Sequence, residues 1–322
     1  MLSGFAPNMT VLYLSYGVLG GIGLGLGYIV PLAVLIRWFP DKRGFITGLA
    51  VTGFGLGALI TSPLATQMIK TYGVQSTLVQ LGVAYFAIVV LAAQFLRPAP
   101  ENYAPAGWTP AAQPKSRTGA DFTLADAMRT PHWYLLWSML ALNITAGAAL
   151  ISVAAPLAQE LTQVGPALAA IAVCVISLFN GLGRLVWGTL SDKIGRSRTF
   201  MALFLLQTAA FALLPFAGHF VGLLIPLALI ALCYGGGFGT MPAFTTDVFG
   251  AKNAGTIYGA MLTAWSAGAI VGPLLIAAVP YRTALPLIAA MLAIAAFLPL
   301  LFEALVQRRD VQAGSRTARA AY

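Results

Sequence analysis

Apolar stretches of about 20 residues or more, separated by short polar and basic clusters, form the main pattern along the chain. Nine such stretches run over 11–36, 44–69, 75–97, 133–157, 166–190, 199–218, 221–246, 254–279 and 283–306. Each is long enough to cross a bilayer as a helix, and in lipid only helices or closed barrels satisfy every backbone polar group. The pattern therefore predicts an all-α, polytopic membrane helical bundle with nine spans. The segment 98–131 is rich in Pro, Ala and polar residues. It cannot span, and reads as a mobile cytoplasmic linker. This divides the chain into an N-terminal bundle over 1–97 with three spans, the linker, a C-terminal six-helix bundle over 132–307, and a cytoplasmic tail over 308–322.

Composition agrees with this division and orients it. Of 322 residues, 59% are hydrophobic and 8% charged, against about 25% charged in soluble domains; mean hydropathy is +0.85. The net charge of +9 sits between apolar runs, unlike the clustered surface charge of a nucleic-acid binder, so no nucleic-acid partner is expected. With the N-terminus outside, sixteen Lys and Arg fall on inward connections and only Lys70 and Arg282 on the other side. That bias places the C-terminus in the cytoplasm; the cell inner (plasma) membrane is the expected location. Met1 to Asn8 show neither a charged n-region nor a cleavage site. Cys174 and Cys233 lie inside apolar runs and are expected to be small buried hydrophobes without a disulfide or metal role.

An internal repeat lies in the same pattern. Shifting the chain by 211 positions aligns Gly25 with Gly236, Pro31 with Pro242, Gly44 with Gly255, Gly48 with Gly259 and Gly57 with Gly268, and pairs Trp38 with Phe249 and Phe54 with Trp265. Spans one and two thus match spans seven and eight in the same direction, as in halves related by an axis along the membrane normal. Counterparts of spans four to six are absent from the first half.

The candidate chemistry centres on Arg184, eight residues before Asp192 in "NGLGRLVWGTLSDKIGRSR". At 1.5 Å per residue this cation lies about 12 Å inside its span. Three readings remain open: a stem that snorkels to the interface, a structural bond to carbonyls of a broken helix, and a binding site. Arginine stays charged and offers a planar fork that grips a carboxylate with two parallel bonds, so a small organic anion is the natural ligand. Gly20, Gly21, Gly23, Gly25 and Gly27 lack the strand-to-helix setting of a phosphate loop and read as helix packing. Prolines at 31, 63, 156, 215, 226, 242, 273, 286 and 299 can kink the spans. Asp41, Asp192, Asp247, Glu303 and Asp310 mark inward ends and Glu160 an outward end. No span centre holds an acid for proton coupling, and no Walker-type run supports direct use of ATP.

"GTLSDKIGRSR" from Gly188 resembles the G-x-x-x-D-K/R-x-G-R loop of the major facilitator superfamily. "RWFPDKRG" from Arg37 and "PAFTTDVFG" from Pro242 resemble its oxalate/formate antiporter branch. The resemblance implies an MFS-type fold with twelve helices in two halves. This chain would begin near the end of helix three, so residues 1–97 would hold helices four to six of a truncated N-terminal half; a natural nine-span variant is the alternative. It further implies that Arg184 binds a substrate carboxylate inside an aromatic ring of Tyr28, Phe54, Tyr234, Phe238 and Trp265, each of which could equally be ordinary packing. Gly188, Asp192, Lys193, Gly195 and Arg196 would act as a latch for the outward-open state or as a solvated turn, with Asp247 in a similar part near Lys252. The oxalate carrier of the branch has a lysine at the position matching Trp265. One cation leaves a dianion half-compensated in a low-dielectric site, which favours monocarboxylates.

The reading is a secondary transporter of small organic anions, monocarboxylates above oxalate, working by alternating access through exchange or uniport. No cofactor and no metal are expected. The partners are the anion and membrane lipid, and a monomer is favoured. Two alternatives stand beside it: a fragment of such a carrier that does not function alone, and a membrane-embedded enzyme or its subunit, for which His132 and His219, 87 residues apart near span ends, offer no partner motif.

Overall fold

The computed structural model describes residues 1–100, 103, 105 and 121–307. Most of the expected linker, with Lys115 and Arg117, and the tail, with Arg308, Arg309, Asp310, Arg316 and Arg319, lie outside the described residues. Among the described residues there is no strand, and nine helices are long and apolar enough to cross a membrane. The N-terminal rod Met9–Trp38 joins α1 (Met9–Leu12), a π-helical stretch (Tyr13–Leu19) and α2 (Gly20–Trp38). The second and third spans form one helical element, α3 (Arg43–Ala93), broken where Gly73 takes φ 77° and ψ 167°. That left-handed backbone needs a glycine, and it falls in the gap expected between 69 and 75. The C-terminal bundle comprises α5 (Pro131–Thr162), α6 (Pro166–Ile194), α7 (Arg196–Leu213), α8 (Phe220–Phe249), the broken pair α9 (Ala254–Met261) and α10 (Thr263–Ala277), and α11 (Tyr281–Ala295).

Local chemistry fixes the helix ends. Thr130 accepts a hydrogen bond from the Trp133 N–H before Pro131, and Pro166 opens α6 after Gly165; proline suits the first turn, where its missing N–H leaves nothing unpaired. Gly195, at φ 91°, turns α6 into α7. The linker's C-terminal end is structured. Thr123 caps α4 (Leu124–Met128), the Phe122 N–H donates to the Phe249 carbonyl (2.9 Å), and Asn253 Nδ2 donates to the Phe122 carbonyl (2.6 Å).

The repeat is visible in the helix ends. Trp38 closes α2 and Phe249 closes α8; Arg43 opens α3 and Ala254, 211 residues on, opens α9. The two halves meet across a small-residue seam between α3 and α6. A Cβ on Gly48 would strike the Arg184 carbonyl, and one on Gly188 the Gly44 carbonyl. Membrane helices associate through such close backbone approach, because lipid offers no hydrophobic drive between them. Burial is uneven. In their most apolar stretches, 61% of Pro131–Thr162 is buried, against 17% of Met9–Trp38 and 6% of Leu64–Ala93. Contrary to the sequence expectation, Cys174 lies on an exposed face of α6, whereas Cys233 is buried.

Candidate functional site

Arg184 is 2% exposed, so its stem does not snorkel. The seam of glycines brings α3 against α6 and lets the guanidinium cross to the other half, where Nη1 donates to the Val51 carbonyl (3.2 Å); Nε makes a long bond to Asn180 Oδ1 (3.4 Å). One N–H thus serves structure. No acidic side chain pairs with Arg184 among the described residues. Two of its five N–H donors are engaged. The buried charge is stabilised instead by two ring faces, with Cζ 4.7 Å from the Phe238 centroid and 5.4 Å from that of Phe54.

All five aromatic residues expected around Arg184 come together. Phe238 touches Tyr234 (5.3 Å between centroids) and Trp265 (5.3 Å); Trp265 touches Phe54 (5.6 Å) and Tyr28 (6.2 Å); Tyr28 touches Phe54 (5.7 Å). Phe54 and Trp265 are equivalent positions of the repeat, so the two halves meet ring to ring. Sequence reasoning missed Tyr258, which stacks on Tyr28 at 6.5 Å and 29°, and also Asn180 and the Val51 carbonyl. The repeat held a signal for Tyr258. It maps onto Thr47, and Tyr28 onto Gly239; Thr47 Oγ1 donates to the Gly239 carbonyl (2.9 Å), so the equivalent pair in the other half was due to touch as well.

Beside the ring cluster lies a cavity of about 530 Å³, lined among others by Gly21, Gly25, Tyr28, Trp265 and Ser266. Arg184 does not line it, whereas Tyr28 and Trp265 of the ring cluster do. Toward Trp38 the same helices close. Ile29, Ala33, Ala254, Gly255 and Tyr258 leave only about 10 Å³ there.

That closed end carries the charged cluster. The Asp192 carboxylate accepts from the backbone N–H groups of Gly44 and Phe45, both at 2.9 Å, and so caps the first turn of α3 from the opposite half. A carboxylate at a helix N-terminus satisfies unpaired donors and complements the dipole. Arg196 Nη2 pairs with Asp192 (2.7 Å) and its Nε with Asp247 (2.9 Å), while Arg43 Nη1 reaches Asp247 (3.1 Å). Arg196 also donates to the Ser191 hydroxyl. Asp247 was expected near Lys252; its ion pairs are with Arg43 and Arg196. Lys193 is exposed and makes no described contact. Gly188 acts through the seam and Gly195 through its turn.

Comparisons with known proteins place this geometry. The sequence profile of the Major Facilitator Superfamily matches residues 1–273, and again 136–320. The chain is 34% identical over 265 residues to an uncharacterized MFS-type transporter, YhjX, of Escherichia coli (strain K12), covering 80% of this chain and 63% of that protein. It is 30% identical over 271 residues to the oxalate:formate antiporter of Oxalobacter formigenes, covering 81% and 62%. It is 27% identical over 320 residues to the apicoplast pyruvate carrier 1 of Toxoplasma gondii, covering 80% and 57%. The chain therefore spans less than two thirds of the length of these relatives. In fold it resembles a crystal structure of the Escherichia coli fucose:proton symporter FucP, with a TM-score of 0.67 at 18% identity, over 92% of this chain and 77% of that one. An all-α bundle of spanning helices, a parallel repeat and a profile match along nearly the whole sequence lead to one assignment: the chain is an integral membrane protein belonging to the Major Facilitator Superfamily.

Proposed function

We propose that the chain carries small organic anions, monocarboxylates in preference to oxalate, by alternating access, with Arg184 binding the carboxylate. The observation that carries the proposal is a guanidinium buried in the membrane, without an acidic partner among the described residues and faced by two rings. Burying a lone charge costs several kcal/mol, and an anion that docks on the free side of the fork offsets that cost. Trp265, which lines the cavity and touches the two rings over Arg184, then moves to let the anion pass to the guanidinium. Tyr28, Phe54, Tyr234, Phe238 and Trp265 then form the water-excluding wall. The cation bias makes the closed, charged end cytoplasmic and the N-terminus external, in the cell's plasma membrane. The cavity in this structure then faces outward, and Asp192, Arg196, Asp247 and Arg43 form the latch that holds the cytoplasmic side shut. Names of relatives that transport oxalate, formate or pyruvate support an organic anion as the cargo.

The test is counterflow of labelled pyruvate, lactate, formate and oxalate in proteoliposomes. A monocarboxylate is expected to exchange fastest, and Arg184→Lys, which keeps the charge but loses the fork, is expected to weaken it about 10- to 100-fold. Normal transport by that variant would remove carboxylate recognition from Arg184. A second reading draws on the low burial of Met9–Trp38 and Leu64–Ala93: this chain binds the anion but does not translocate it alone. Binding without counterflow selects that reading.

A further inference from the structure

Two buried hydroxyls in the ring cluster around Arg184 stand without a hydrogen-bond partner. Tyr28 and Tyr258 come from opposite halves, 9% and 3% exposed, and stack on one another. Neither phenolic hydroxyl is hydrogen-bonded to a protein atom. Tyr28 touches Phe54, the ring over which the Arg184 guanidinium sits. Burying an unpaired hydroxyl opposes folding, and phenylalanine would supply the same stack without that cost. The repeat sharpens the contrast. At the equivalent contact Thr47 and Gly239 close the helices with a hydrogen bond, whereas the tyrosine pair closes them with ring faces and leaves two O–H groups unspent.

We propose that Tyr258, acting with Tyr28, is a specificity-determining residue that donates to a second oxygen of the substrate, on the carbon next to the carboxylate. The inference rests on the carboxylate being held by Arg184. The three groups together match a 2-oxo monocarboxylate. A charged fork faces the carboxylate, and two neutral donors face a carbonyl oxygen, whose two lone pairs can accept from both. Neutral hydroxyls suit a neutral acceptor better than a second negative charge. An acid lacking the 2-oxo group leaves both hydroxyls as they are in the free chain and gains nothing from them, so it binds more weakly than the 2-oxo acid.

The experiment measures the dissociation constants of pyruvate and of propanoate, which has the same carbon chain without the 2-oxo group. It uses the concentration-dependent rise in Tm of the purified chain. The wild-type chain is expected to bind pyruvate more tightly. Tyr258→Phe, which keeps the ring stack, is expected to weaken pyruvate about tenfold, the range of one lost hydrogen bond, and to leave propanoate unchanged. Tyr28→Phe is expected to do the same, and Arg184→Gln to abolish binding of both acids. If Tyr258→Phe and Tyr28→Phe leave the ratio of the two constants unchanged, or weaken both acids alike, the tyrosines serve packing and the inference is overturned. If the wild-type chain binds both acids equally and Arg184→Gln loses both, this inference fails while the carboxylate reading stands. Binding of neither acid to the wild-type chain overturns both.

Discussion

Arg184 combines a structural bond across the halves with N–H donors that make no described bond. Its bond to the Val51 carbonyl pins the guanidinium across the seam, and the rings of Phe54 and Phe238 hold it without neutralising it. Trp265 completes that layer, touching Phe54, Phe238 and Tyr28. A lysine in its place would add a second positive charge beside the first. Two charges about 4 Å apart interact by about 4 kcal/mol at an effective dielectric constant of 20. Part of that is lost to desolvation. Trp265→Lys is therefore expected to raise the ratio of oxalate to monocarboxylate binding by about tenfold or more. The ratio is read by competition between the two anions, and an unchanged ratio would show that charge count does not set the preference.

At the level of helices, the α3 and α6 pair depends on glycines that let the two backbones touch. Gly188→Val places a branched side chain against the Gly44 carbonyl, and overpacking of this kind costs about 1–3 kcal/mol. The helices are expected to part at their charged end. With Cys174 and Cys233 replaced by serine, a Thr47→Cys reporter, buried in this structure, should alkylate faster in the Gly188→Val background; an unaltered rate would mean that the seam does not hold this end closed. The existence of the helices was legible in the sequence, because length and apolarity alone decide what crosses a bilayer. Their facing was less so. Lipid-facing and core-facing positions are equally apolar, which is why Cys174 was expected inside and lies outside, and why Tyr258 passed unnoticed among its neighbours. Arg184 stood out because a charge is costly on either face. The five rings were found through the family's pattern rather than through periodicity.

For the whole molecule, the charged cluster joins the two halves through ion pairs and backbone hydrogen bonds. Asp192 caps α3 from across the interface, so opening this end leaves two backbone donors and Arg196 without their acceptor. Loss of an N-cap costs about 1 kcal/mol, which alone shifts a two-state balance about fivefold. Asp192→Ala is expected to raise alkylation of the same Thr47→Cys reporter by at least about that factor, and no change would reduce the cluster to a solvated turn. The partners of Asp247 were not legible in sequence. Its pairing with Arg43 depends on how two distant segments dock, and spacing along the chain carries no such information.

The Phe54 and Trp265 contact, 5.6 Å between centroids, joins the same position of two parallel copies. If the chain carries anions as proposed, a solute lying between the halves meets matching ring faces on either side, because an axis along the membrane normal relates the two halves at the same depth.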